Sequence, residues 1–150
     1  MVEYGRNTFG VNLSCANLSE FPAVYVDVIT MFNLLDDLQT PLEFLKEVER
    51  ILKPDGIIYT NLHDAGGWKA KKYQKDWGAF CPPMHLYYYI LDTLCMLVSQ
   101  AGLRFLTVPG INLKEGIKMI LVKKDDPRKI SRFRKRFEEC IYSCVQMLKL

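Results

Sequence analysis

The stretch VYVDVITMFNLLDDLQTPLEFLKEVERILKPDGIIYTN, Val24 to Asn61, reads as one strand-helix-strand crossover, and the rest of the chain is placed relative to it. Its opening run, Val24 to Thr30, is rich in β-branched and aromatic residues and has the length of a buried strand. A polar, acidic loop follows from Asn33 to Gln39. Thr40 then offers an N-cap, Pro41 fills the first helical position where a missing N–H does no harm, and Glu43 is spaced to close a capping box. Leu42, Leu45, Val48, Ile51 and Leu52 fall on one face at helical spacing, with Glu43, Lys46, Glu47, Glu49 and Arg50 turned to water. Lys53-Pro54-Asp55-Gly56 reads as a stop and a turn, and Ile57 to Thr60 as a second strand. Two strands joined by a helix should lie parallel, linked by a right-handed crossover.

Composition bounds the class. A chain of 150 residues with 49% hydrophobic and 25% charged residues suits one globular domain with a proper core. No run of about 18 apolar residues supports a membrane span, and MVEYGRN lacks the charged and apolar regions of a signal peptide, so a cytoplasmic location is expected. The five cysteines, Cys15, Cys81, Cys95, Cys140 and Cys144, are odd in number and show no C-x-x-C spacing, which suits reduced thiols. Cys140 and Cys144 could share an ion on a helix, but no His or further Cys stands near them, so no metal site is expected. Residues 1 to 113 carry 9 Lys/Arg against 12 Asp/Glu, whereas 114 to 150 carry 11 against 5, so the basic charge sits in the tail.

Around the crossover, Thr8 to Leu13 is expected as a short strand and Asn17 to Pro22 as a loop. His63 to Leu86 is long and irregular, and its aromatics argue for function or packing rather than disorder. Ile90 to Gln100 is expected as a helix with Leu91, Leu94, Cys95, Leu97 and Val98 inward and Gly102 just past its end. Leu103 to Val108 and Ile117 to Lys123 are expected as an antiparallel pair. Pro127 to Leu150 has an amphipathic helical pattern, with Ile130, Phe133, Phe137 and Ile141 on one stripe and a basic opposite face. No aromatic interleaves that basic face, so nucleic acid is not an expected partner. The pattern is α/β with a mixed sheet.

In this order, D-V-I-T, L-L-D-D-L, P-L-E-F-L-K-E-V-E-R-I-L-K-P-D-G, C-P-P-M-H-L-Y-Y-Y and A-G-L resemble the C-terminal two thirds of a class I S-adenosylmethionine-dependent methyltransferase. The resemblance covers roughly Phe9 to Lys124. It implies a Rossmann-like sheet of which this chain supplies strands three to seven, lacking the first two, with residues 1–124 as a partial domain and 125–150 as a basic helix packed on it. No G-x-G-x-G precedes the crossover, so the N–H cradle and ribose carboxylate of the family have no counterpart.

The resemblance further implies S-adenosylmethionine as cofactor. Asn17, followed by Leu18, stands where the family has an Asp that accepts from the adenine amino group. Met31, Phe32 and Asn33 end the strand that flanks the cofactor, and Asp37 stands where a His is common. The same residues also read as a turn (Asn17) and as core (Met31, Phe32). His85, in the family's P-x-H-x-x-x-F pattern, and His63, just beyond the second strand of the crossover, are the candidate general bases; a loop-pinning His85 and an exposed His63 are the plainer readings. Trp77, Tyr87 and Tyr88 could wall a pocket for a flat small-molecule acceptor, or pack the loop. The expected function is methyl transfer to such an acceptor, weak or absent in the isolated chain. The alternative is a non-catalytic module that forms a homodimer or swapped dimer through the sheet edge left open beside Val24–Thr30.

Overall fold

Pro41 starts the crossover helix where the spacing places it. The computed structural model describes residues 2–106 and 116–128. It contains, in order, α1 (Val2–Phe9), a 3-10 turn (Leu18–Glu20), β1 (Val26–Phe32), α2 (Pro41–Ile51), β2 (Leu52–Leu62), α3 (Trp68–Tyr73), a second 3-10 turn (Gln74–Asp76), α4 (Leu91–Gln100), β3 (Leu103–Leu106) and β4 (Ile117–Lys123). Thr40 is the N-cap of α2, but its side chain makes no capping bond, so the expected box with Glu43 does not form. The helix start rests instead on Pro41, whose fixed φ is already helical.

Leu45, Val48 and Ile51 are buried beneath α2, and Leu42 packs half-buried against the same core. Leu45 and Val48 share one core cluster with Ile58 and Leu62 of β2 and Leu121 of β4, all at most 2% exposed. Burying each such side chain contributes about 1.5–3 kcal/mol, so this one layer holds the helix on the sheet.

The sheet order is β1-β2-β4-β3. β1 and β2 are parallel, as a crossover requires, while β4 runs antiparallel to both β2 and β3. The mixed sheet and its antiparallel pair therefore follow the sequence pattern. Three details differ. Thr8 to Leu13 is not a strand: Thr8 and Phe9 end α1, and the chain folds back so that Arg6 donates to the Leu13 carbonyl at 2.7 Å. A strand three is thus missing, and the described sheet has four strands rather than five. Lys53 to Gly56 is not a turn outside the sheet but an irregular stretch within β2, with Val26 opposite Leu52 and Val28 already opposite Ile57. Pro54 has no N–H for the ladder, and Gly56 lets the backbones close up, since a Cβ there would stand 3.0 Å from the Asp27 carbonyl. Finally, β1 starts at Val26 rather than Val24, because Val24 takes a positive φ of 57° while its N–H and that of Tyr25 bond the Arg50 and Ile51 carbonyls.

Leu94 and Val98 anchor α4, with Cys95 and Leu97 half-buried; Leu91, expected inward, is 40% exposed at the first turn. Gly102 follows the C-cap with φ 77°, the left-handed geometry for which glycine suits the position. The amphipathic pattern from Pro127 to Leu150 falls, but for its first two residues, outside the described residues. No helix among the described residues is long and apolar enough to cross a membrane.

Past β4, the Arg128 guanidinium grips the Asp126 carboxylate and donates to the Gly56 carbonyl at 2.8 Å. Burial pushes the Asp126 carboxyl up, but hydrogen bonds and charge from Arg128, with Arg104 nearby, hold it below the usual aspartate range. A folded-state pKa below the unfolded one stabilises the fold above the unfolded value, and that contribution fades as pH falls through the folded value. Asp126→Asn should therefore flatten the acid side of a plot of urea midpoint against pH. An unchanged acid limb would show that Asp126 carries none of the acid sensitivity.

Candidate functional site

β1 and β2 run parallel, so both present their carboxyl ends on the same side of the sheet, where open α/β sheets hold ligands. Three things converge there. Asn33 ends β1 in a left-handed turn (φ 46°), a conformation Asn tolerates, with its N–H on the Asn61 carbonyl at 3.0 Å. The loop after it carries Asp36, whose carbonyl oxygen accepts from the N–H groups of both Leu86 and Tyr87, at 2.7 and 3.1 Å. His63 follows β2 directly. The long segment after α3 is thereby fastened onto the β1 loop and brings His85 with it.

His63 Nδ1 lies 3.0 Å from Asp36 Oδ2. A carboxylate can only accept, so Nδ1–H donates and the neutral ring keeps its lone pair on Nε2. His85 is fixed in the same sense: its Nδ1 lies 2.7 Å from the Ala79 carbonyl, which also only accepts. Its Nε2 stands 3.9 Å from Asp37 Oδ1, beyond hydrogen-bond reach. The two rings are 5.0 Å apart, inclined at 37°. Asp36 is 3% exposed, and its Oδ1 has no hydrogen-bond partner. One donor atom from each of Asp36, His63 and His85 lies within 4.8 Å of the other two.

His63 also opens onto a cleft of about 570 Å³ walled by Trp68, Trp77 and Tyr73 and edged by Asp64 and Lys69. Trp77 meets the His63 ring edge-on at 6.1 Å. Asp64 shapes the rim by accepting from the Gly66 and Gly67 N–H groups.

The two histidines expected as bases are thus brought together, and Trp77 lines the cleft beside them. Tyr87 and Tyr88 are not among its lining residues. Tyr87 stacks on Tyr89 at 5.8 Å and donates to the Gln39 carbonyl, and Tyr88 packs against Phe80. The neighbouring Tyr89 donates to the Leu35 carbonyl, and burial first, then Tyr87 and Asp36, push its hydroxyl up to about 12, so it stays a donor.

The residues expected around the cofactor are divided. Phe32 is 60% exposed at the carboxyl end of β1, Asn33 is exposed beside it, and Met31 is buried in the core. Asn17 and Leu18 lie at the other end of the sheet. The Leu18 carbonyl accepts from Arg50 at the C-terminal end of α2, next to the residues that enter β1. A seven-residue strand spans roughly 20 Å, so the two groups do not meet. Asn17 instead caps the first 3-10 turn, its N–H on Glu20 Oε1 at 2.8 Å. The carboxyl end of the sheet thus presents Phe32 and Asn33, and no N–H cradle or ribose carboxylate stands there among the described residues.

Asp36 is the residue that sequence reasoning passed over. Its signal was available, since an Asp-Asp pair in the loop after a strand stands where such sheets place their chemistry.

Comparison with known proteins fits this geometry. The chain matches the methyltransferase-domain family over residues 4–108. Its fold is similar to that of a SAM-dependent methyltransferase from Thermotoga maritima, with a TM-score of 0.59 and 19% identity over 83% of this chain and 69% of the other. It is also similar to TnmH, with a TM-score of 0.61 and 18% identity over 82% of this chain and 40% of that one. A third is the methyltransferase CalH in complex with SAH, with a TM-score of 0.59 and 17% identity over 81% of this chain and 39% of that one. The chain therefore spans well under half the length of two of these three structures. No curated protein matches it. With the family match covering more than half of its 150 residues and a sheet of the same fold, the chain belongs to the class I S-adenosylmethionine-dependent methyltransferase family.

Proposed function

We propose that this chain takes part in S-adenosylmethionine-dependent methyl transfer to a small, flat acceptor bearing an acidic O–H or N–H, in the cytoplasm. The supporting observation is the Asp36–His63 pair at the mouth of an aromatic cleft, at the carboxyl ends of β1 and β2. His63 accepts the acceptor's proton at Nε2, and Asp36 holds the ring in that tautomer and favours the imidazolium that forms. Trp77 and Trp68 suit an aromatic ring, and the cleft's size is that of a small-molecule site. The cofactor side is incomplete among the described residues, so binding by the isolated chain is weak.

Ligand-observed NMR tests both halves of this reading. Saturable binding of S-adenosylmethionine, displaced by S-adenosylhomocysteine and with an affinity weaker than micromolar, is expected. Micromolar affinity would overturn the weakness, and failure of S-adenosylhomocysteine to compete would overturn the cofactor.

A second reading rests on the sheet edge. Among the described strands β1 pairs only with β2, and Val28 and Phe32 beside its open edge are 39% and 60% exposed. Unpaired N–H and C=O groups flanked by apolar side chains invite another strand. The module would then dimerise through β1. Light scattering should report a dimer that Val28→Lys returns to monomer; a monomeric parent would remove this reading.

A further inference from the structure

We propose that Asp36, His63 and His85 bind one divalent transition-metal ion of borderline softness, of the zinc or cobalt class.

Four observations carry the proposal. The donor set is two imidazoles and one carboxylate, a combination that suits zinc and its neighbours and is unlike the all-oxygen sets that hold calcium or magnesium. His85 is already in the tautomer that a ligand needs: its Nδ1–H is spent on the Ala79 carbonyl, which leaves Nε2 bare. A backbone carbonyl of this kind is a usual outer partner of metal-bound histidines. His63 faces Asp36 Oδ2 through Nδ1 at 3.0 Å, so it would bind through Nδ1, giving up that proton to solvent as the ion enters. Asp36 is 3% exposed, yet its Oδ1 has no partner. A buried carboxylate with an unused oxygen calls for a positive charge, and among the described residues neither Lys nor Arg bonds it. Last, Asp37 stands beside His85 at 3.9 Å, within reach as a further oxygen donor.

The distances are open but closable. Donor atoms bound at about 2.0–2.1 Å lie roughly 3.3 Å apart around a tetrahedral ion. The His63 Nδ1 to Asp36 Oδ2 separation of 3.0 Å already meets this, and no pair in the group exceeds 4.8 Å. His85 is carried by the long segment rather than by a strand, and it is the group best able to close the gap.

The site shares residues with the proposed methyl-transfer site but does not depend on that reading. An ion at His63 would take over the base's task by lowering the pKa of an acceptor hydroxyl bound to it, the proton leaving to solvent. Absence of metal binding would leave the imidazole base standing, and metal binding without methyl transfer would leave the ion standing.

The test is titration of the full chain with zinc by calorimetry and with cobalt by visible absorption. One equivalent bound with micromolar affinity is expected, with cobalt d–d bands of a nitrogen and oxygen site and no thiolate charge-transfer band. The chain has only two histidines, so the assignment is unambiguous. His63→Gln and His85→Gln should each weaken cobalt binding at least 100-fold, with circular dichroism checking that each variant is folded. No saturable binding by the parent chain would overturn the proposal. So would a thiolate band, or unchanged affinity in the folded double variant.

Discussion

Leu45→Ala is expected to lower the free energy of unfolding by about 3–4 kcal/mol, a large part of the roughly 5–15 kcal/mol that holds a domain folded. Leu45 is 0% exposed and belongs to the single core in which α2 meets the sheet. Truncation removes its transfer free energy and leaves a cavity, and the buried neighbours Leu52, Ile58 and Leu121 can collapse into it only in part. Urea denaturation with an unchanged m-value measures the effect. Leu91→Ala on the exposed first turn of α4 is the control and should change stability by no more than about 0.5 kcal/mol. A loss below about 1 kcal/mol at Leu45 would mean that α2 is not docked as described.

The second large effect concerns chemistry. If His63 is the base, His63→Ala should lower kcat for methyl transfer by about 10²–10⁴-fold while leaving KM nearly unchanged, because the ring acts on the proton in flight rather than on the bound acceptor. Asp36→Asn should fall between the parent and His63→Ala, since an amide can still bond the ring but no longer favours its charged form. Release of S-adenosylhomocysteine with phenolic acceptors follows the reaction. A kcat within threefold of the parent for His63→Ala would remove His63 from the reaction.

The crossover was legible because each signal in it is local. Pro41 sets a helix start, Leu45, Val48 and Ile51 mark a face at helical spacing, and Ile57 to Thr60 are each β-branched or aromatic. The antiparallel β3–β4 pair was legible for the same reason. The errors arose where a short segment's partners lie elsewhere. Thr8 to Leu13 alternates as a strand does, but among the described residues no strand pairs with it, and helix α1 captured its first residues. Lys53 to Gly56 carries every mark of a turn, yet pairing with β1 drew it into β2. The family pattern placed Asn17 by its order along the chain, whereas its position in space follows Arg50, which takes the Leu18 carbonyl.

Half of the site could be read and half could not. His63 and His85 were visible as the only histidines, one after a strand and one in a Pro-x-His pattern. Their convergence was not, because 21 intervening residues have no periodicity from which to infer a path. What closes that path is a pair of backbone hydrogen bonds to the Asp36 carbonyl, and backbone bonds leave no trace in side-chain pattern.

Asp36 therefore serves two purposes from one residue. Its carbonyl holds the segment that delivers His85, and its carboxylate orients His63. A fluctuation that peels residues 86 and 87 from the carbonyl also carries His85 away and opens the carboxylate to water. Entry to the cluster and loss of its geometry thus lie along a single coordinate, and the cluster is either shut and assembled or open and disarmed.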